Sequence, residues 1–363
     1  MSSVTGNKLK VSIFGESHGK GIGVVIDGLP PGVELDLNFI DCQMKRRAPG
    51  QSSITTERKE KDSYTILSGL FKDKTTGTPL CALIQNEDTN SESYDKIKAK
   101  MRPGHSDYTG YVKYKGFNDY RGGGHFSGRL TAPLLFAGSV AMQILEIKNI
   151  FIGGRIKSIY NITDDSKPNL SEYEIKKLRN MNFPVICPGI KEEMLYTISK
   201  VKNEGNSVGG VIETYVINVP AGYGEPFFDS VESKISHIVF SIPAVKGIEF
   251  GTGFEITQFT GKETNDQFYV KNNKILTKTN NSGGILGGIT NGMPIVFKTA
   301  VKPVSSIACT QNTVDISKME NTVLNVTGRH DPCIVPRAVP VVESAAALAL
   351  LDLILERDGE IWI

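Results

Sequence analysis

The chain has 363 residues, 39% of them hydrophobic and 22% charged, and carries a net charge of +2. That length and balance describe a globular protein with a sizeable core, and they exclude whole-molecule attraction to nucleic acid or an anionic membrane. Any anionic ligand must be met by local clusters. Five scattered cysteines (Cys42, Cys81, Cys187, Cys309, Cys333) form no C-x-x-C pair, which argues against a disulfide frame or zinc site and for a reducing compartment. Lys8 and Lys10 lead only into Val11–Phe14, too short for a signal-peptide core. The apolar C-terminal run is broken by Glu343 and Asp352, as in a buried helix rather than a membrane span. A cytoplasmic location is expected.

In chain order, β-like runs are predicted at Val11–Phe14, Ile22–Asp27, Tyr64–Phe71 and Pro79–Gln85, each bounded by Gly, Pro or Asn. Helical periodicity follows at Ala132–Lys148, Ser171–Arg179 and Lys191–Asn203. A strand at Val211–Val219 precedes a helix at Phe227–Phe240, in which His237 falls on the apolar pattern and is expected to be structural. Strands at Gly247–Phe250 and Met293–Val301 flank a hairpin, Phe268–Thr277, turning at Asn272-Asn273. A last helix covers Arg337–Glu356. Strict βαβ spacing is absent, so the expected class is α+β with mainly antiparallel sheets. No low-complexity linker divides the chain, and one domain over 1–363 is expected. A weak echo exists: Ser17-His-Gly19, ten residues, Pro30-Pro-Gly32 is matched by Ser207-Val-Gly209, ten residues, Pro220-Ala-Gly222. It allows a pseudo-duplication with halves near 1–150 and 190–363.

The basic residues are 30 Lys and 11 Arg, and eight of the Arg lie in or beside Gly- and Pro-rich stretches: Arg46, Arg47, Arg58, Arg102, Arg121, Arg129, Arg329 and Arg337. A guanidinium grips carboxylate or phosphate with two parallel donors, so the clustering points to anion sites, with loop capping as the alternative. Phe14-Gly-Glu-Ser-His-Gly19 contains G-x-S-x-G, but β-prone residues follow where a nucleophile elbow needs a helix. Its glycines leave His18 in a tight turn with little cover, suited to ligand contact or simply to solvent. Arg102-Pro-Gly-His-Ser-Asp107 sets an arginine, a histidine and an aspartate on a Pro-Gly turn, where His105 suits a proton donor toward an anionic leaving group. No second histidine stands at metal-ligand spacing. Arg121-Gly-Gly-Gly-His-Phe-Ser-Gly-Arg129 and Asn281–Gly292 allow close backbone approach to a ligand, yet no full Rossmann or P-loop pattern occurs. Lys302-Pro-Val-Ser-Ser306 offers a cation and two hydroxyls to a phosphate tail. In Gly328-Arg-His-Asp-Pro-Cys-Ile-Val-Pro-Arg337, Asp331 lies between cations and is expected to stay ionised, an available base.

Together FGESHG, RPGHSDYTG, RGGGHFSGRLTA, SGGILGGITNG, KPVSS and GRHDPCIVPRAVPVVE resemble the chorismate synthase family in order and spacing, from about Val11 to about Glu343. The resemblance implies a β-α-β sandwich assembled as a homotetramer. It implies an anti 1,4-elimination of phosphate from 5-enolpyruvylshikimate 3-phosphate, the last shared step toward aromatic compounds. The reaction requires reduced FMN without net redox change, and NADPH serves only to reduce the flavin. By motif, His18 would protonate or hydrogen-bond the flavin with Ser17 in support, and His105 would protonate the departing phosphate. Asp331 would act through the flavin N5 in removing the C6 proton. Arg46, Arg47, Arg102, Arg129 and Arg337 would surround the substrate. Flavin contacts would fall on His125, Phe126, Ser127, Pro243, Ala244, Gly287, Lys302, Pro303, Val304, Ser305, Ser306 and Arg329. Ser127 also matches a family position with a catalytic part.

Two departures stand out. Many members read GGGRSSARET, whereas this chain has His125, Phe126 and Leu130 in place of the Arg, the first Ser and the Glu. Ser53 stands where some members carry an arginine linked to NADPH. Both lead to the expectation of a monofunctional enzyme served by a separate flavin reductase. The other readings of these motifs are a flavin- or phosphate-binding protein without turnover and a serine hydrolase using Ser17.

Overall fold

The computed structural model describes residues 3–50, 62–87, 94, 97–326 and 331–359. Ser53, Arg58 and Arg329 lie outside the described residues. Two five-stranded sheets enclose a pair of apolar helices. The first sheet comprises β1 (Val4–Thr5), β2 (Lys10–Gly15), β3 (Gly21–Asp27), β4 (Tyr64–Ser68) and β5 (Leu80–Gln85), in the order β1-β2-β3-β5-β4. The second comprises β6 (Phe151–Ile159), β7 (Ile162–Thr163), β8 (Gly210–Ile217), β9 (Val245–Phe250) and β10 (Ile295–Val301), in the order β9-β10-β8-β6-β7. Every pairing in both sheets is antiparallel.

The helices are α1 (Leu37–Arg47), α2 (Asp107–Lys113), α3 (Thr131–Ile147), α4 (Glu172–Arg179), α5 (Pro188–Asn203), α6 (Val231–Val239) and α7 (Val335–Asp358). α3 packs on the first sheet, α7 on the second, and the two pack on each other. The α+β sandwich with mainly antiparallel sheets is the expected architecture. Gly138 sets the helix spacing: a Cβ there would sit 2.1 Å from that of Ser344. α3 (with the turn before it) and α7 are long and apolar enough to cross a membrane, yet they lie inside this sandwich, α7 buried throughout the window tested. Their lack of a polar face follows from being covered on all sides.

Sequence periodicity located most elements to within two or three residues. Tyr64–Phe71 is two pieces, because Gly69 turns at φ +82° against Leu80, where a Cβ would lie 2.3 Å from the Leu80 Cα. Phe227–Phe240 also divides. Ser230 is extended at ψ 154° and accepts from the Ser233 N–H, so α6 starts at Val231, and Phe227 and Phe228 project into solvent. His237 is exposed beside Thr5 rather than set in the core, which corrects the structural expectation.

Several elements escaped the pattern, three of them next to the core or the cleft. β6 reads FIGGRIKSI, but Gly153 and Gly154 are required where α4 and α7 press on opposite faces of the sheet, against Ile175 and Val339. In α1 the buried face includes Gln43 and Arg47, which breaks the apolar stripe, although Asp36 caps it through the Asn38 and Phe39 N–H groups. α2 buries only Gly110.

Candidate active site

An open cleft of about 1330 Å³ runs between the ends of the first sheet, α6 and the start of α7. It brings together residues from all the motifs singled out above except Asn281–Gly292. Among the described residues, all four histidines (His18, His105, His125, His237) line it, as do Arg47, Arg102, Arg129, Arg337 and Asp331. The flavin-assigned segments Phe126-Ser127, Pro243-Ala244 and Lys302–Ser306 line it as well. Arg46, Ser17 and Gly287 do not. Arg46 turns back from the cleft onto the buried Glu343 of α7, with Nη2 3.1 Å from Oε1. Gly287 occupies the Leu286–Ile289 hairpin turn at φ +61° with open space beyond its Cα.

The glycine loop Arg121–Phe126 organises the centre. Gly122, Gly123 and Gly124 all have positive φ, a conformation open to glycine at little cost. A Cβ on Gly122 would lie 2.3 Å from His18 Cδ2 and 2.5 Å from Nε2. One on Gly123 would lie 3.3 Å from both Cε1 and Nε2 of His105. The two histidines therefore stand against consecutive glycines. His18 is buried, not loosely covered as its turn suggested, and the ring of Tyr94 meets it edge-on at 5.2 Å. The sequence carried no signal for Tyr94. Gly122→Ala is expected to displace His18 and cut turnover by roughly tenfold to a hundredfold with the fold intact; steady-state kinetics and circular dichroism check this.

Ser17 is fully buried, and its Oγ has no hydrogen-bond partner among the described residues. Strand β3 follows it instead of a helix, so the geometry of a nucleophile elbow is absent. His105 sits on the turn closed by its own N–H to Arg102 O, with Gly104 at φ +69°. Asp107 accepts from Arg102 Nε and Nη2 at 2.7 Å each, and its Oδ1 lies 2.7 Å from His105 Nδ1. Burial opposes charge on Asp107, but the hydrogen bonds from Arg102 and His105 outweigh it and hold the carboxyl well below the usual carboxylate range. Lys302 Nζ and Ser305 Oγ both donate to Gly104 O, and Arg102 Nη1 donates to Ser306 Oγ, tying the 302–306 segment to this turn. Burial first, and Lys246 second, lower Lys302 below the ordinary lysine value.

Opposite lies a buried cluster. Arg47 and Arg129 share the carboxylate of Asp62, whose side chain is fully buried. Arg337 bonds to Arg47 O at 2.7 Å and pairs with Asp331, both at the entry to α7. Among the described residues cationic groups outnumber carboxylates here, so the cleft suits a small polyanion. The departing residues make contacts of their own. His125 joins Gly15 O at 2.8 Å and Ser3 Oγ at 3.0 Å, and the Phe126 ring fills the space over Gly110 toward Tyr114.

The chorismate synthase family profile matches residues 9–355. The chain belongs to the chorismate synthase family. It is 44% identical to the chorismate synthase of Thermococcus kodakarensis, over 97% of each chain. It is 42% identical to that of Dehalococcoides mccartyi, over 98% of this chain and 97% of the relative. A crystal structure of chorismate synthase superposes with a TM-score of 0.77 at 29% identity, covering 98% of this chain and 94% of that one. The chain is thus an enzyme of the chorismate synthase family, and a small-molecule substrate follows for the cleft.

The cleft exceeds the roughly 300–1,000 Å³ of an ordinary single-ligand pocket. Its glycine floor, where a Cβ at Gly122 or Gly123 would intrude on the histidines, and the unpartnered Ser17 Oγ behind it fit a flat cofactor beside a substrate.

Proposed function

We propose that the protein eliminates phosphate from 5-enolpyruvylshikimate 3-phosphate to give chorismate, a carbon–oxygen lyase reaction that uses reduced FMN without net redox change. The observation that carries this reading is the placement of His18 and His105 on consecutive glycines, in one cleft with Arg47, Arg102, Arg129, Arg337 and Asp331. Reduced flavin, when bound, lends electron density to an elimination whose C6–H is barely acidic.

The protein's own groups position the reactants and move protons. Arginines at the cleft take the two carboxylates and the phosphate of the substrate in bidentate pairs. His105, facing the loop through Nε2, delivers a proton to the departing phosphate oxygen. Asp331, steered by Arg337, accepts the proton lost from C6. His18 holds the flavin edge with Ser17 supporting it from behind, and Ser127 adds a hydroxyl from the end of the glycine loop. Flavin contacts extend over Pro243-Ala244 and Lys302–Ser306. Arg46 supports the site from behind by fixing α1 to α7 through Glu343.

The protein is monofunctional in this reading, works as a homotetramer, and receives its flavin reduced by a separate reductase. Support comes from His125 and Phe126, whose side chains are engaged with Gly15, Ser3, Gly110 and Tyr114 and bring no fixed cation to a nicotinamide nucleotide. The deciding experiment is anaerobic incubation with the enolpyruvyl substrate and reduced FMN, following chorismate and phosphate together. Equimolar release is expected. A folded, flavin-saturated sample that releases neither overturns the proposal. In a second arm with NADPH and oxidised FMN alone, sustained turnover would overturn the monofunctional reading only.

A further inference from the structure

Asp107 has no assigned part in the reaction, yet it is the nearest carboxylate to the proposed proton donor. Its Oδ1 lies 2.7 Å from His105 Nδ1, while Arg102 Nη2 lies 3.2 Å from the same nitrogen. These two contacts compete to decide which ring nitrogen carries the proton. If Nδ1 were bare, it would face a carboxylate oxygen lone pair to lone pair at 2.7 Å, a strongly repulsive arrangement in a partly buried site. If Nδ1 carries the proton, the short contact is a charge-assisted hydrogen bond. Arg102 Nη2 then loses little, because it already donates to Asp107 Oδ1 at 2.7 Å. The shorter contact decides the tautomer.

We infer that Asp107 is the positioning residue of His105: it accepts the Nδ1 proton and leaves Nε2, the nitrogen against Gly123, as the one that exchanges a proton with the ligand. The inference rests on His105 being the proton donor of the proposed reaction. One carboxylate therefore fixes both ring orientation and tautomer beside an arginine that also faces the cleft. Asp107 also accepts from the Arg102 backbone N–H at 3.1 Å, so the turn that carries His105 closes on the same group. The low carboxyl pKa agrees with a constant anion over the working pH range.

Nitrogen-15 spectra of histidine-labelled wild-type protein, assigned with His105→Ala, read the tautomer directly and without turnover. A proton on Nδ1 of His105 at neutral pH is expected. Asp107→Asn should lower kcat by on the order of a hundredfold, with substrate KM changed by less than about threefold. Asp107→Glu, which keeps an acceptor carboxylate, should recover about tenfold of the loss. A bare Nδ1 in the wild-type spectrum overturns the inference even if the variants fail to fold. So does an Asp107→Asn enzyme with wild-type kcat, or one in which KM alone rises, which would make Asp107 only the support of Arg102. A wild-type chain that forms no chorismate fails the functional proposal instead, while the tautomer measurement still stands.

Discussion

His105→Ala is expected to slow phosphate release by about 10²–10⁴-fold in a single-turnover experiment while flavin affinity changes by less than about threefold. Phosphate leaves poorly as a fully charged anion, so a proton delivered to the breaking C–O bond lowers the barrier by several kcal/mol. His105 is held for that task from both sides. The Arg102-Pro-Gly-His105 turn fixes its backbone, and Gly123 fits closely against its outer edge, with Cε1 and Nε2 both 3.3 Å from where a Cβ would be. The flavin-assigned segments Pro243-Ala244 and Lys302–Ser306 come from other elements, which is why cofactor affinity should survive the loss of one imidazole. Stopped-flow phosphate detection with substrate and pre-reduced FMN, paired with a flavin fluorescence titration, measures both quantities. A loss of less than about tenfold would remove His105 from the proton-donor role.

Asp62→Ala is expected to destabilise the fold by about 3–5 kcal/mol, since it strips a carboxylate from a buried ion pair. Here the carboxylate serves two guanidiniums. Arg47 donates from Nε at 2.9 Å and again from Nη2, and Arg129 donates from Nη1, with both arginine side chains only 4% exposed. Arg129 also donates to Asn86 Oδ1 at 3.2 Å and to Gln85 O at 3.3 Å, both neutral acceptors. Urea unfolding should show a lower midpoint with an unchanged slope. Added inorganic phosphate should restore the variant more steeply than it stabilises the wild type, because an anion in the cleft replaces the missing charge. An unchanged midpoint would show that the two arginines do not depend on Asp62.

The chemistry of this protein was legible in its sequence wherever side-chain type and backbone freedom are set locally. Arg102-Pro-Gly-His105 announces a fixed turn beside a cation whatever surrounds it, and three consecutive glycines announce a close approach. Arginines in Gly- and Pro-rich stretches, in a chain that otherwise prefers lysine, marked the segments proposed to bind anions; among the described residues Arg47, Arg102, Arg129 and Arg337 line the cleft. The long apolar runs of α3 and α7 were equally plain, and the structure places both inside the protein, α7 completely and α3 for the most part.

What tertiary structure alone decided is who faces whom. No local rule says that Gly122 receives His18 and Gly123 receives His105, because those contacts join segments roughly a hundred residues apart in one case and an adjacent turn in the other. Arg46 and Arg47 are neighbours in sequence and both read as substrate arginines. One helical step of about 100° sends Arg46 to Glu343 and Arg47 to Asp62 and the cleft. The same geometry hid β6, whose glycines look like strand breakers until α4 and α7 are seen pressing on both faces. Composition and motif thus determined the reagents, while the packing of two sheets about two helices determined their pairing, since burial and charge compensation depend on long-range neighbours that the local sequence does not encode.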